Sequence, residues 1–189
     1  MIDTLCKQAG EGKAAVACFY FNFADQEQQS PAVVLGLVLK HIIGGLDEVP
    51  ERLVKVFRRH RKILGGQRLM LSEIVEIMQD ITSSRPTFIC IDALDECQAQ
   101  HRMKLLDLLN KILQGSPGAR LFLTGRPHIR GEVVKYLAGR AATRSITPTK
   151  NDIITFLRAK LKEDTVPDAM DESLEKEIMK NIPETVSEM

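Results

Sequence analysis

Two rhythms of apolar residues alternate along most of this chain. Residues 16–23, Val-Ala-Cys-Phe-Tyr-Phe-Asn-Phe, are nearly continuous in hydrophobicity and rich in branched and aromatic side chains. Such a run suits a strand buried on both faces of a parallel sheet. Residues 25–29 are a polar turn. Ser30-Pro31 then opens a helix, because serine caps free amides and proline fits the first helical position. Val33, Val34, Leu37, Val38, His41 and Ile42 make its inward side, and Gly44-Gly45 stops it. The 3.6-residue period predicts a second helix over 51–64, with Leu53, Val54, Phe57 and Leu64 inward, and a third over 71–83. Pro86 marks the turn into a strand over 87–92. A long helix over 98–114 carries Met103, Leu105, Leu106, Leu109, Ile112 and Leu113, and Gly115, Pro117 and Gly118 end it. Residues 120–124 read as another short buried strand, 129–137 as a helix and 143–146 as a last strand. Strands alternating with helices predict a three-layer α/β fold with a mainly parallel sheet.

Both ends depart from that alternation. Residues 1–8 have a short helical pattern, with Ile2, Leu5 and Cys6 on one side and Gly10 and Gly12 as its stop. After Pro148 the strand signal vanishes. Amphipathic helices are predicted over 151–162 and 171–182. The expected organisation is an α/β domain over 1–148 and a small helical segment over 149–189.

Composition narrows the possibilities. With 189 residues the chain is about one domain with an appendage. At 44% hydrophobic it can build a core, and 27% charged residues keep it in water. The 26 basic side chains nearly balance the 25 acidic ones. A net charge of +1 supplies no field toward nucleic acid or an anionic membrane. Tryptophan is absent, so base-stacking surfaces are not advertised. Cys6, Cys18, Cys90 and Cys97 form no C-x-x-C pair, which argues against zinc and for reduced thiols. Met1 to Gln8 reads as too short and polar for a signal peptide, and no apolar run in these residues approaches the roughly 20 that a membrane helix needs. A cytoplasmic location is expected.

The chemistry concentrates after residues 87–92. The apolar run Phe88-Ile89-Cys90-Ile91 ends in Asp92, and Ala93-Leu94-Asp95-Glu96 follows, placing three carboxylates within five residues. At a strand's carboxyl end they lie where open α/β sheets bind ligands. Magnesium keeps most of its waters, so one well-placed carboxylate suffices to hold it. Asp92 is the candidate metal residue, through a water. Glu96 is the candidate catalytic residue that orients a water toward a γ-phosphate. Asp95 is expected to help the metal or to cap the following helix. The ordinary alternative is that Asp95 and Glu96 merely complement a helix start. D-x-x-D-E after four apolar residues favours the nucleotide site.

A second turn supports it. The run Leu121-Phe122-Leu123-Thr124 ends in Gly125-Arg126-Pro127, roughly 30 residues after the acidic turn, the spacing of the next β-α unit. Arg126 there suits a γ-phosphate oxygen and can sense its presence, with Thr124 adding a weaker polar contact. The plainer role for Arg126 is a salt bridge to the acidic turn.

The glycine-rich phosphate loop G-x-x-x-x-G-K-[ST] does not occur. Gly10-Glu11-Gly12-Lys13-Ala14 imitates its end, but alanine replaces the magnesium-binding hydroxyl, and the segment precedes a strand rather than a helix. Without that loop, this chain by itself is expected to bind nucleotide poorly. Lys55, Arg58, Arg59, Arg61 and Lys62 form a basic cluster that reads as the solvated face of a helix. Cys97 has no base near it in sequence to make it a nucleophile.

With those residues in hand, the chain resembles the NACHT domain of fungal signal-transducing NTPases of the NOD-like-receptor type, including nephrocystin-3-like N-terminal regions. Such domains are often fused to ankyrin or WD repeats. Phe19-Tyr20-Phe21-Asn22-Phe23 with Asp25-Gln26-Glu27 resembles the strand after the family's P-loop helix. Ile91-Asp92-Ala93-Leu94-Asp95-Glu96-Cys97 resembles its Walker B segment. Leu123-Thr124-Gly125-Arg126-Pro127 resembles its sensor 1 turn, with Gly125 where serine is usual. Asn151-Asp152-Ile153 onward resembles the start of its helical segment. The resemblance implies a three-layer P-loop NTPase-like sheet that is incomplete here, Walker A being upstream or lost, and a helical domain cut short after Pro183. It implies a switch driven by ATP or GTP with Mg2+, in which other copies of the domain are the partners on activation. The chain alone is then expected to be inactive. The competing expectation is a non-enzymatic α/β scaffold that no longer binds nucleotide. A nucleic-acid-binding domain rests on the basic cluster alone.

Overall fold

The computed structural model describes residues 14–187 apart from residue 47, residues 64–68, residue 138 and residues 164–170. The predicted helix over 1–8 and the Gly10-to-Lys13 segment lie outside the described residues. The chain divides into two compact units, Met1–Ala142 and Thr143–Met189.

The first unit is mixed α/β. Its described elements are β1 (Ala15–Tyr20), α1 (Pro31–Gly44), α2 (Glu51–Ile63), α3 (Leu71–Ser84), β2 (Thr87–Asp92), α4 (Ala99–Gln114), β3 (Ala119–Leu123) and α5 (Arg130–Tyr136). The three strands form one sheet in the order β1-β2-β3, and both pairings are parallel. Registers are set by side-chain alternation. Phe19 lies beside Ile91, which lies beside Leu123, and Ala17 beside Ile89, which lies beside Leu121. A slip of one residue would turn this row out of the core.

That row faces the main core, where Ala17, Phe19, Ile89 and Ile91 pack with Leu35, Val38 and Ile42 of α1, Ile77 and Met78 of α3, and Leu105, Leu106 and Leu109 of α4. Full burial of each large aliphatic side chain is worth about 1.5–3 kcal/mol. The expectation of a first strand buried on both faces is corrected. In β1 only alternate residues are buried, and Val16 and Cys18 are intermediate. Phe88 and Phe122 share that second face, with ring centroids 6.3 Å apart.

Several finer expectations also change. Ser30 makes no side-chain cap, although Pro31 occupies the first helical turn as expected. The buried stripe of α1 is Val34, Leu35, Val38, Leu39 and Ile42, while Leu37 and His41 are exposed. Phe57 of α2 is exposed rather than inward. The strand predicted over 143–146 does not form: the stretch has no regular structure, and Ile146 is 90% exposed. The basic cluster is partly neutralised, since Lys55 pairs with Glu51 and Arg59 with Glu73, while Arg52 beside it pairs with Glu76 and Asp80 of α3.

The second unit contains α6 (Lys150–Glu163) and α7 (Glu172–Ser187), which pack on each other. Thr149 and Asp152 cap the start of α6 reciprocally. The Thr149 hydroxyl accepts from the Asp152 amide, and the Asp152 carboxylate accepts from the Thr149 amide and hydroxyl. Those bonds hold the Asp152 carboxyl below the usual range. Pro183 lies inside α7. Among the described residues, no helix is long and apolar enough to cross a membrane.

Candidate functional site

The site grows from the register of β2 and β3. Ile91 is the last residue of β2 paired with β3, beside Leu123, so Asp92 and Thr124 emerge together one step beyond the ladder. Backbone bonding continues past the strands. The Thr124 amide donates to Ile91 O at 3.0 Å, and the Leu94 amide donates to Thr124 O at 2.9 Å. The Thr124 hydroxyl accepts from the Ala93 amide at 3.1 Å and donates to the Asp92 carboxylate. Asp92 and Thr124 thus form one polar unit at the carboxyl ends of neighbouring strands.

The turn needs an unusual backbone to do this. Ala93 adopts the left-handed conformation at φ 52°, costly for a residue with a Cβ. Leu94–Glu96 then form a short 3-10 turn with Leu94 fully buried beneath it. The hydrophobic anchor below and the ladder to Thr124 hold Ala93 in place.

The two remaining carboxylates bind protein groups. Asp95 accepts from the Arg126 amide at 3.1 Å and lies 3.4 Å from the Arg126 Nε. Its side chain is 8% exposed, whereas that of Arg126 is 76% exposed, so the guanidinium is pinned at one side and open at the other. Glu96 accepts from the Phe23 amide at 2.9 Å, and its carbonyl accepts from the Gln26 side chain at 2.6 Å. The turn after β1 is thereby stitched to the acidic turn. Asp95 does not cap α4, whose N-terminal flanking residue is Gln98.

All five predicted residues, Asp92, Asp95, Glu96, Thr124 and Arg126, therefore sit in two adjoining turns on one rim of the sheet. Arg126 meets Asp95. Asp92 meets Thr124. Glu96 turns toward Phe23. Among the described residues no three His, Cys, Asp or Glu side chains gather as a direct metal-binding group. One carboxylate with a hydroxyl beside it fits magnesium held largely by its own waters. One surface hollow of about 320 Å³ is lined by Phe23 to Gln28 and Gln98, and none of the five residues lines it.

Pattern reading missed Arg102 and Glu132. Arg102 is buried on α4, and its Nε and Nη2 donate to the two carboxylate oxygens of Glu132 at 2.7 and 2.9 Å. Its Nη1 donates to Cys97 O at 2.7 Å and to Asp95 O at 3.4 Å. The pair raises the Arg102 pKa, chiefly through the hydrogen bonds to Glu132, and lowers that of Glu132 by the same bonds. A signal did exist. Arg102 stands three, four and seven residues before Leu105, Leu106 and Leu109, in phase with the apolar stripe. Cys97 is buried, and desolvation pushes its thiol up to about 11, against a smaller opposite pull from Arg102. A protonated thiol of that kind is a poor nucleophile.

A parallel sheet with a chemically loaded rim at its strand ends makes this an α/β protein whose polar turns lie at the carboxyl ends of neighbouring strands, where open α/β sheets bind ligands. More specifically, the chain belongs to the family described as nephrocystin 3, N-terminal, which it matches over residues 1–126. This is the family region to which the acidic and Thr-Gly-Arg-Pro turns pointed. No curated protein matches the sequence significantly. Among solved structures, a Walker-type ATPase of Pyrococcus abyssi is similar, with 14% identity and a TM-score of 0.48 over 94% of this chain. The chain spans about half of that structure, 54% of its length.

Proposed function

We propose that this chain is the acidic-turn and sensor half of a nucleotide-dependent switch of the NACHT type, acting on ATP or GTP with magnesium. The observation that carries the reading is the joining of Asp92 to Thr124, and of Asp95 to Arg126, across neighbouring parallel strand tips.

Each residue has a role in this reading. Asp92 holds magnesium through water, with the Thr124 hydroxyl orienting its carboxylate. When bound, magnesium neutralises phosphate charge. Arg126 uses its exposed guanidinium edge for a γ-phosphate oxygen, while Asp95 fixes its direction. Glu96 orients the attacking water once its carboxylate leaves the Phe23 amide. Hydrolysis is slow, as suits a switch with a long-lived bound state. In the complete protein the output is association with other copies of the same domain in signalling.

Magnesium-dependent binding of labelled ATP and GTP by this chain and by Asp92→Ala tests the proposal. Without the phosphate loop the expected binding is weak, and the substitution should weaken it further by about 1.5–3 kcal/mol, the range for losing a charged partner. Equal and negligible binding by both proteins discards the reading for this chain.

One observation favours a second reading, a non-enzymatic α/β scaffold. The Glu96 and Asp95 carboxylates already satisfy the amides of Phe23 and Arg126. In a scaffold these bonds serve only to tie three turns together. Wild-type stability with no nucleotide response would favour it.

A further inference from the structure

The acidic turn is gripped from behind as well as from in front. Arg102 reaches from α4 to the carbonyls of Asp95 and Cys97, the residues on either side of Glu96. Its remaining donors meet Glu132 of α5, three residues beyond the Pro127–Ile129 turn that follows Arg126. One guanidinium therefore ties the backbone around Glu96 to the element that follows Arg126. On the front, Asp95 ties the same turn to the Arg126 amide. Arg102 is 7% exposed, and the fork it makes with Glu132 fixes its plane. A lysine there would have the charge without the fork.

We propose that Arg102, seated by Glu132, is the positioning residue of the acidic turn: it sets where the Glu96 backbone lies relative to Asp92 and Arg126. The claim rests on the nucleotide-switch reading for its functional meaning, although its geometry is independent of any nucleotide. The two carbonyls lie at the end of a short 3-10 turn, Leu94–Glu96, that follows the left-handed Ala93, a conformation with little helical bonding of its own. Buried, charge-assisted bonds at that point hold the turn more firmly than its local propensity does.

Amide hydrogen exchange on the full chain tests this, because it reads the turn without a ligand. Arg102→Met is expected to speed exchange of the Glu96, Cys97 and Phe23 amides by about tenfold or more, the factor carried by one charge-assisted hydrogen bond. The Ile89 and Ile91 amides in β2 keep their wild-type rates. The exchanged pair R102E/E132R restores a link between α4 and α5 but offers no donor to the Asp95 and Cys97 carbonyls, so it recovers thermal stability and leaves the turn fast. Should Arg102→Met not fold, Glu132→Gln decides, with faster exchange confined to the same three amides. Wild-type rates at those amides, or an increase spread evenly through β2, overturn the proposal. So does full recovery of the turn in the exchanged pair. A parallel measurement of Mn2+·ATP binding separates the two claims. No binding by wild type sinks the switch reading, while the exchange pattern still decides the role of Arg102.

Discussion

At the scale of single residues, what matters is how each polar group is used. Asp92 keeps a carboxylate supported by one hydroxyl, whereas Asp95 and Glu96 are bound to backbone amides. Three acidic residues within five positions thus have three different environments. Cys97, next in line, is set apart by burial. Burial pushes its thiol up to about 11 from an ordinary 9.0, so far less of it is thiolate near pH 8 than of a free cysteine. Iodoacetamide labelling followed by mass spectrometry should find Cys97 at least about tenfold slower in the native protein than in urea. Rapid native labelling would show that the residue is not buried as described.

At the scale of elements, close approach and ion pairing decide how the helices sit. Gly118, between α4 and β3, lets the backbone pass where an added Cβ would meet Thr82 O at 2.7 Å. That oxygen belongs to the main chain and cannot swing away. Gly118→Ala should destabilise by about 1–3 kcal/mol, the usual cost of overpacking. Gly36, inside α1, has open space at the same position. Gly36→Ala should therefore stabilise by about 0.5–1 kcal/mol through helix propensity. Urea midpoints of the two variants should move in opposite directions, and a shift of both the same way would contradict the packing described. Helix α2 is a different case. Among its described side chains Leu53 alone is buried, and Arg52 and Arg59 link it to α3. The Arg52 pairs are open to solvent at both partners and screened by it, so Arg52→Ala should leave the urea midpoint nearly unchanged.

For the molecule as a whole, Glu132 and Cys97 give stability a pH dependence with defined signs, to which the exposed and solvent-screened Asp152 adds little. The Glu132 carboxyl is held below its ordinary 4.5 by Arg102. Its contribution is present above that value and is lost as pH falls through the lowered pKa. The Cys97 thiol is raised, so its contribution is complete below 9.0 and is lost as pH rises from 9.0 to about 11. Thermal melts should show one loss below about pH 4.5 that Glu132→Gln reduces, and another above about pH 9 that Cys97→Ala removes. An alkaline limb unchanged in Cys97→Ala would assign that loss to other groups.

Periodicity alone was enough to place the helices from α1 to α5 and the strands β1, β2 and β3, because apolar spacing and Gly or Pro stops are local properties of the chain. It also located the acidic turn and the Thr-Gly-Arg-Pro turn, since a charge that ends an apolar strand is visible without coordinates. Register was beyond its reach. That Asp92 meets Thr124, that Asp95 takes the Arg126 amide and that Glu96 turns to Phe23 follow from three strands lying parallel in a particular alignment. Arg102 and Glu132 find each other across 30 residues only because α4 and α5 pack together, and Ile146 is left exposed in a stretch that periodicity alone read as a strand. Local sequence encodes which groups are charged and which segments are apolar; the distances at which those charges meet are decided by packing between segments far apart along the chain.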